Sequence, residues 1–145
     1  MGGKFEKGAT ADRSGPQISV VLATFDRKPF LKACIKRIRN ELSLLDCGGE
    51  IVVIDGGSTD GTLQWLCKQS DIITVVQHNR QWTNNIPHRK ESWGYFINLG
   101  FKIARGEIVC MVSDDVLLLP GAIKNGLGMF LNDKMHNTMI ILQKR

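Results

Sequence analysis

The sequence predicts an α/β fold: a Rossmann-like, three-layer sandwich with a mainly parallel sheet between helices. Three observations carry that expectation. Short apolar runs rich in Val and Ile alternate with segments of helical period, and the runs hold almost no polar residue. Strands read as continuous apolar runs when both faces are buried, which is the condition of a parallel sheet under crossover helices. The chain has 145 residues and 43% hydrophobic content, which suits one core.

Residues 1–16, MGGKFEKGATADRSGP, lack the apolar stretch of a secretory signal and are rich in Gly and charge. They read as a disordered leader, and the folded domain is expected over 17–145. Strands are expected at 18–23, 51–54, 72–76, 108–112 and 139–142. Helices are expected at 29–45, 61–68, 93–104 and 120–131. Pro29 and Pro120 suit a first helical position, where the missing N–H costs nothing. Right-handed crossovers would join the strands.

Composition excludes several classes. Apolar stretches run to a handful of residues, far short of the roughly 20 that a membrane helix requires, so no membrane span is expected. The net charge of +5 is uneven: residues 1–40 are basic and 41–75 acidic. Lys32, Lys36, Arg37 and Arg39 fall opposite the apolar stripe Leu31, Cys34, Ile35, Ile38, Leu42 and Leu45, and read as a solvated helix face. Aromatic and basic residues do not interleave as in a single-strand binder, so no nucleic-acid partner is expected. The four cysteines, Cys34, Cys47, Cys67 and Cys110, show no C-x-x-C pair and read as buried, reduced thiols. His78, His88 and His136 are poorly placed for zinc and read as surface or loop residues.

In a doubly wound sheet, ligands bind outside the carboxyl ends of the strands, where the winding reverses. Three unusual segments fall at such ends: ATFDR, DGGSTDG and SDD. They meet if the first and fourth predicted strands are neighbours. In the last, Asp114 and Asp115 stand between two apolar runs. Two such charges at about 4 Å repel by about 4 kcal/mol at an effective dielectric near 20, so a solvated turn or a cation must offset the cost. A divalent cation shared with a ligand's phosphates would do so. Side chains alternate along a strand, so one of the pair is expected to coordinate directly and the other to support it or touch a sugar. In IVVIDGGSTDGT, Asp55 leaves a buried strand, Gly56 and Gly57 admit a close ligand, and Thr59 or Asp60 can cap the next helix. This stretch departs from a calcium loop at Gly57 and Asp60, and Asp60 does not directly leave the strand as a phosphatase nucleophile would.

Taken together, ISVVLATFDR, IVVIDGGSTDGT, NLGFKIARGEIVCMVSDD and LLLPGAI resemble, in order and spacing, the family-two glycosyltransferases of the GT-A fold. The likeness covers about residues 18–123. It implies a nucleotide-sugar-binding N-terminal half, a UDP-sugar donor, an acceptor the sequence does not identify, and Mn²⁺ or Mg²⁺ bridging the diphosphate to the acidic motif. It implies that Thr24 and Asp55 lie against the base, with Phe25 beside the donor. Asp114 and Asp115 would serve metal, ribose or sugar. Arg80, His88, Arg89 and Lys90 offer cations for the diphosphate, and Arg89 is the candidate among them.

Departures bear on that reading. Gly56 and Val112 stand where the family often has Asp, and Ile97 where it often has a basic residue. Asn98 and Gly100 read as packing residues on the helix facing the pocket. Family members carry an acceptor half, with a carboxylate base, beyond TMIILQKR, so no catalytic base can be named. The absent segment or a second copy of the chain is expected to cover the edge left by the last predicted strand. The expected activity is metal-assisted inverting transfer, in the cytoplasm or peripheral at a membrane. A non-catalytic nucleotide-binding module or subunit is the alternative. A sugar-phosphate nucleotidyltransferase would want a Gly-rich loop after the first strand, and ATFDRKPF has no glycine.

Overall fold

The computed structural model describes residues 15 to 132. The first fourteen residues of the expected leader, and the strand expected at 139–142, lie outside them. The elements run β1 (Ile18–Thr24), α1 (Lys28–Leu42), β2 (Gly49–Asp55), α2 (Thr62–Leu66), β3 (Ile72–Val76), β4 (Arg80–Thr83), β5 (Ile86–Arg89), α3 (Trp93–Ile103), β6 (Ile108–Met111) and α4 (Ala122–Asn132). Four strands form one parallel sheet in the order β3, β2, β1, β6. β1 and β6 are therefore neighbours, the adjacency that the three unusual segments need.

Alternation along the strands divides the core. Ile18, Val20 and Leu22 point to one face with Ile51 and Val53, where they meet Leu31, Cys34, Ile35 and Ile38 of α1 and Ile123 of α4. Val21, Ala23, Val52 and Ile54 point to the other face and meet Phe96 and Ile97 of α3. Gly100 permits that second contact, because a Cβ there would collide with Val21 Cγ1. Asn98 does not take the expected inward position. It is exposed, while Ile97 is buried on the sheet side. Among the described residues the double coverage stops at β6, where Val109 and Met111 are 40% and 50% exposed.

Several boundaries differ from expectation for local reasons. α1 ends at Leu42, where the backbone closes into a turn through Leu44 N to Glu41 O. Pro120 does not open α4. Gly121 (φ +80°) turns the chain first, and the buried carboxylate of Glu41 accepts hydrogen bonds from Gly121 N at 2.7 Å and Ile123 N at 2.9 Å. A side chain from α1 thereby satisfies the free N–H groups at the start of α4. Glu41→Ala is expected to lower stability by about 1–3 kcal/mol, read by urea denaturation, because two N–H groups lose their acceptor. Glu41→Gln should recover part of the loss.

The basic face of α1 is not wholly solvated. Arg39 forms a forked pair with Asp71, with Nε and Nη2 each 2.7 Å from a carboxylate oxygen, and Nη2 also donates to Gln69 Oε1. The cysteines are unpaired, yet only Cys34 is buried; Cys67 is exposed and Cys47 and Cys110 are half-buried. His78 and His88 are exposed.

Residues 80–89, where the sequence predicts no strand or helix, form an antiparallel hairpin of β4 and β5. Asn84 and Asn85 take φ of 51° and 63°, which suits a two-residue turn whose twist matches the strands. Asn79 clamps the hairpin's base: its Nδ2 donates to Glu91 O at 3.0 Å, and its Oδ1 accepts from Glu91 N at 2.6 Å.

Candidate functional site

The carboxyl ends of β1, β2 and β6 open into one cleft of about 190 Å³. Thr24 and Asp55 are the last residues of neighbouring strands and stand in register. Thr24, Phe25, Arg89 and Asp114, all expected at the site, line the cleft with Ala23, Gly56 and Ser113. Asp55 is fully buried and Asp115 exposed, and neither is part of the lining. Arg27, Asn79, Glu91, Trp93 and Phe96 also line it, and none of these stands out in the sequence as a site residue.

Asp55 is held by one oxygen only. Its Oδ1 accepts from Gly57 N at 2.9 Å and Ser58 N at 2.8 Å, while Oδ2 is buried without a partner. A buried carboxylate oxygen left unpaired costs free energy that a donor on a ligand would recover. Phe25 packs over Gly56, where a Cβ would approach the ring to 2.9 Å. The Arg80 and Arg89 guanidinium carbons stand 5.4 and 5.7 Å from the Phe25 ring centre, within cation–π range. Arg80 is further tied to Asp26 and Thr59.

The repulsion between Asp114 and Asp115 is offset by Arg27. Its Nη1 lies 3.2 Å from Asp114 Oδ1 and 3.0 Å from Asp115 Oδ2. Thr24 Oγ1 donates to the other oxygen of Asp114 at 2.8 Å, and Ser113 Oγ to the other oxygen of Asp115 at 2.6 Å. All four oxygens are thus engaged. Strand alternation does not separate the pair, because a turn begins past β6, with Val116 N donating to Ser113 O. Both carboxylates therefore reach one cation. Hydrogen bonds from Ser113 and then Arg27 hold the Asp115 carboxyl below its ordinary range. Hydrogen bonds to Asp115 and Asp114 raise the Arg27 guanidinium further. Burial, reinforced by the two nearby carboxylates, pushes the Cys34 thiol up to about 12, so that thiol stays neutral.

The donor chemistry fits a hard divalent cation, which prefers carboxylate and phosphate oxygens. Two carboxylate oxygens from adjacent residues already converge on one positive atom. Among the described residues no group of three or more His, Cys, Asp or Glu is placed to hold a metal.

Asp60 serves the scaffold. Its Oδ1 accepts from Thr62 N and Thr62 Oγ1 at the start of α2, and its Oδ2 from Lys28 N at the start of α1. Partial burial alone would raise its pKa, but these bonds from Thr62 and Lys28 outweigh it and hold the carboxyl low.

The fold, a parallel sheet in the order β3, β2, β1, β6 between helices, is that of the GT-A glycosyltransferases. Structures with the same fold include S. aureus TarS 1-349 in complex with UDP (TM-score 0.61, 22% identity), covering 79% of this chain and 32% of that one. Mannosyltransferase PcManGT from Pyrobaculum calidifontis in complex with GDP-Man and Mn²⁺ matches with a TM-score of 0.58 at 22% identity, over 88% of this chain and 36% of that one. Glucosyl-3-phosphoglycerate synthase from Mycobacterium tuberculosis, in complex with Mn²⁺, UDP and glucosyl-3-phosphoglycerate, gives a TM-score of 0.57 at 26% identity. There the match covers 84% of this chain and 42% of that one.

The chain belongs to glycosyl transferase family 2, whose model matches residues 19–141. A curated relative is the GalNAc(5)-diNAcBac-PP-undecaprenol beta-1,3-glucosyltransferase of Campylobacter jejuni, 34% identical over 113 residues. That match covers 74% of this chain and 32% of the relative, so the chain spans about a third of the relative's length. Among the described residues no helix is long and apolar enough to cross a membrane.

Proposed function

We propose that this chain is the donor-binding part of a metal-assisted glycosyltransferase that takes a sugar from a nucleoside diphosphate, with UDP as the favoured carrier. The observation that carries the reading is the meeting of Thr24 and Asp114 at one cleft, with Asp115 joined to Asp114 through Arg27 and the unpaired Asp55 Oδ2 on the neighbouring strand end. Asp55 Oδ2 would accept a ring N–H of the base, as uracil provides. Phe25 and Gly56 would form the wall beside it, and Arg89, poised over Phe25, would face the diphosphate. Asp114 and Asp115 would hold Mn²⁺ or Mg²⁺, with phosphate and water oxygens completing the shell. When bound, the ion supplies positive charge to the departing nucleoside diphosphate. Thr24 Oγ1, donating to Asp114 Oδ2, would hold that carboxylate while its other oxygen meets the ion.

A cleft of about 190 Å³ is smaller than the roughly 300–1,000 Å³ of a complete small-molecule site, so a nucleotide-sugar would extend beyond these lining residues. A general base and the acceptor contacts are assigned to chain beyond the described residues or to a partner. The undecaprenol named for the Campylobacter relative supports an acceptor at a membrane surface and a protein peripheral to it.

Calorimetry with UDP, GDP and ADP, each with and without Mn²⁺, tests the reading. UDP binding is expected to be strongest and to require the metal. Binding of equal strength for all three nucleotides, indifferent to Mn²⁺, would overturn it. Hydrolysis of a UDP-sugar, or transfer to an added acceptor, separates an enzyme from a binding module.

A further inference from the structure

We infer that Arg27 is a resident counter-cation, holding the Asp114–Asp115 pair until a divalent ion arrives and then turning to the donor's diphosphate. The inference rests on the donor-binding reading above and assigns a role to a residue that reading leaves unused.

One nitrogen, Nη1, sits between Asp114 Oδ1 and Asp115 Oδ2 at 3.2 and 3.0 Å. Divalent ions of this class bind oxygen at about 2.0–2.6 Å, so an ion bridging those two oxygens would take the place that Nη1 now holds between them. The two cations compete for that position. The other oxygens of the pair are anchored by Thr24 and Ser113, so the carboxylates stay in place when the cation changes. Arg27 is free to move at its tip: the side chain is 48% exposed, and its backbone is held at the start of α1 by Leu31 N donating to Arg27 O.

Charge decides the direction of the exchange. With Arg27 in place the cluster of two carboxylates and one guanidinium keeps a net negative charge, which repels a diphosphate. A divalent ion neutralises the pair and releases the guanidinium into the cleft that Arg27 already lines. The cluster then carries a net positive charge toward the phosphates. An empty site is thus kept ordered but unreceptive to phosphate, and metal and nucleotide bind best together.

The test is titration of Mn²⁺ into the full chain without nucleotide, followed by UDP at saturating Mn²⁺, for wild type, Arg27→Gln and Arg27→Lys. Loss of two partly exposed ion pairs as competitors is expected to tighten nucleotide-free Mn²⁺ binding by about 3- to 10-fold in Arg27→Gln. The same variant should weaken UDP binding at saturating Mn²⁺. Arg27→Lys keeps a competing charge, so its Mn²⁺ affinity should stay near wild type. If wild type binds UDP with Mn²⁺ but Arg27→Gln binds Mn²⁺ no tighter, or Arg27→Lys matches Arg27→Gln, the inference is overturned while the donor-binding reading stands. If wild type shows no metal-dependent UDP binding, both fall.

Discussion

Asp114→Asn is expected to weaken Mn²⁺-dependent UDP binding by about 10- to 150-fold, the equivalent of the roughly 1.5–3 kcal/mol of one charge-assisted contact. The substitution keeps the shape of the side chain and leaves an amide oxygen for Thr24 Oγ1, which now donates to Asp114 Oδ2 at 2.8 Å. What it removes is the charge. Asp114 is 4% exposed and already oriented, whereas the Asp115 side chain is 47% exposed, so the larger loss should follow the buried member. Calorimetry with UDP and Mn²⁺ reads the effect. Equal affinities for the variant and wild type, with matching circular dichroism, would remove Asp114 from the site. Thr24→Val is the companion measurement: it leaves both charges and frees the carboxylate to rotate, so a smaller loss of the same sign is expected.

Glu50→Ala is expected to lower stability by about 2–4 kcal/mol, because it uncouples a buried network at the opposite end of the sheet. Glu50 Oε1 accepts from Ser19 Oγ at 2.6 Å and from Arg105 N at 2.7 Å, and Oε2 accepts from Arg105 Nε at 2.9 Å. Ser19 Oγ in turn accepts from Gly106 N at 2.8 Å. This network sets the entry into β6, and Gly106 has no room for a Cβ, which would meet the backbone of Ile18 and Ser19 within 2.7 Å. Misplacing β6 would also misplace the acidic pair beyond it. Burial alone would raise the Glu50 carboxyl, but bonds from Ser19 and Arg105 outweigh that and hold it below its ordinary value of about 4.3. A depressed folded-state pKa gives stability that is complete above the unfolded value and lost as the pH falls through the folded one. Wild type should therefore lose this contribution only below about pH 4, while Glu50→Gln should lack it at every pH. Urea denaturation at pH 7 and pH 3 measures both. A wild-type-minus-Gln difference that did not shrink at pH 3 would remove the ion pair from the account.

The sheet was legible because its cause is local. Ile18 to Leu22 and Ile51 to Ile54 are apolar runs that only a doubly covered strand explains, and both are buried in β1 and β2. The hairpin is not legible in the same way, although Asn84-Asn85 between two short runs is a turn signal of the right kind. Its strands are exposed along their length, so burial did not write an apolar pattern into them. Asn79, which seals the hairpin's base, looks like any polar loop residue until Glu91 is seen beside it.

The same division runs through the candidate site. Asp55, Asp114 and Asp115 stand out in the sequence because a polar residue at the end of an apolar run is unusual, and that contrast is visible one segment at a time; Thr24 is reached only through the family resemblance. Arg27 is invisible by that measure, since a basic residue before a helix is ordinary and its meaning lies in two carboxylates 87 and 88 positions away. The chain's apolar periodicity alone determined the α/β class, the parallel strands and the polar residues at their ends. Only the tertiary structure decided which cation balances the acidic pair, which oxygen of Asp55 is left over, and that the hairpin brings Arg89 to the cleft. The reason is physical: periodic burial is a property of neighbours along the chain, while charge balance is set by distance through space.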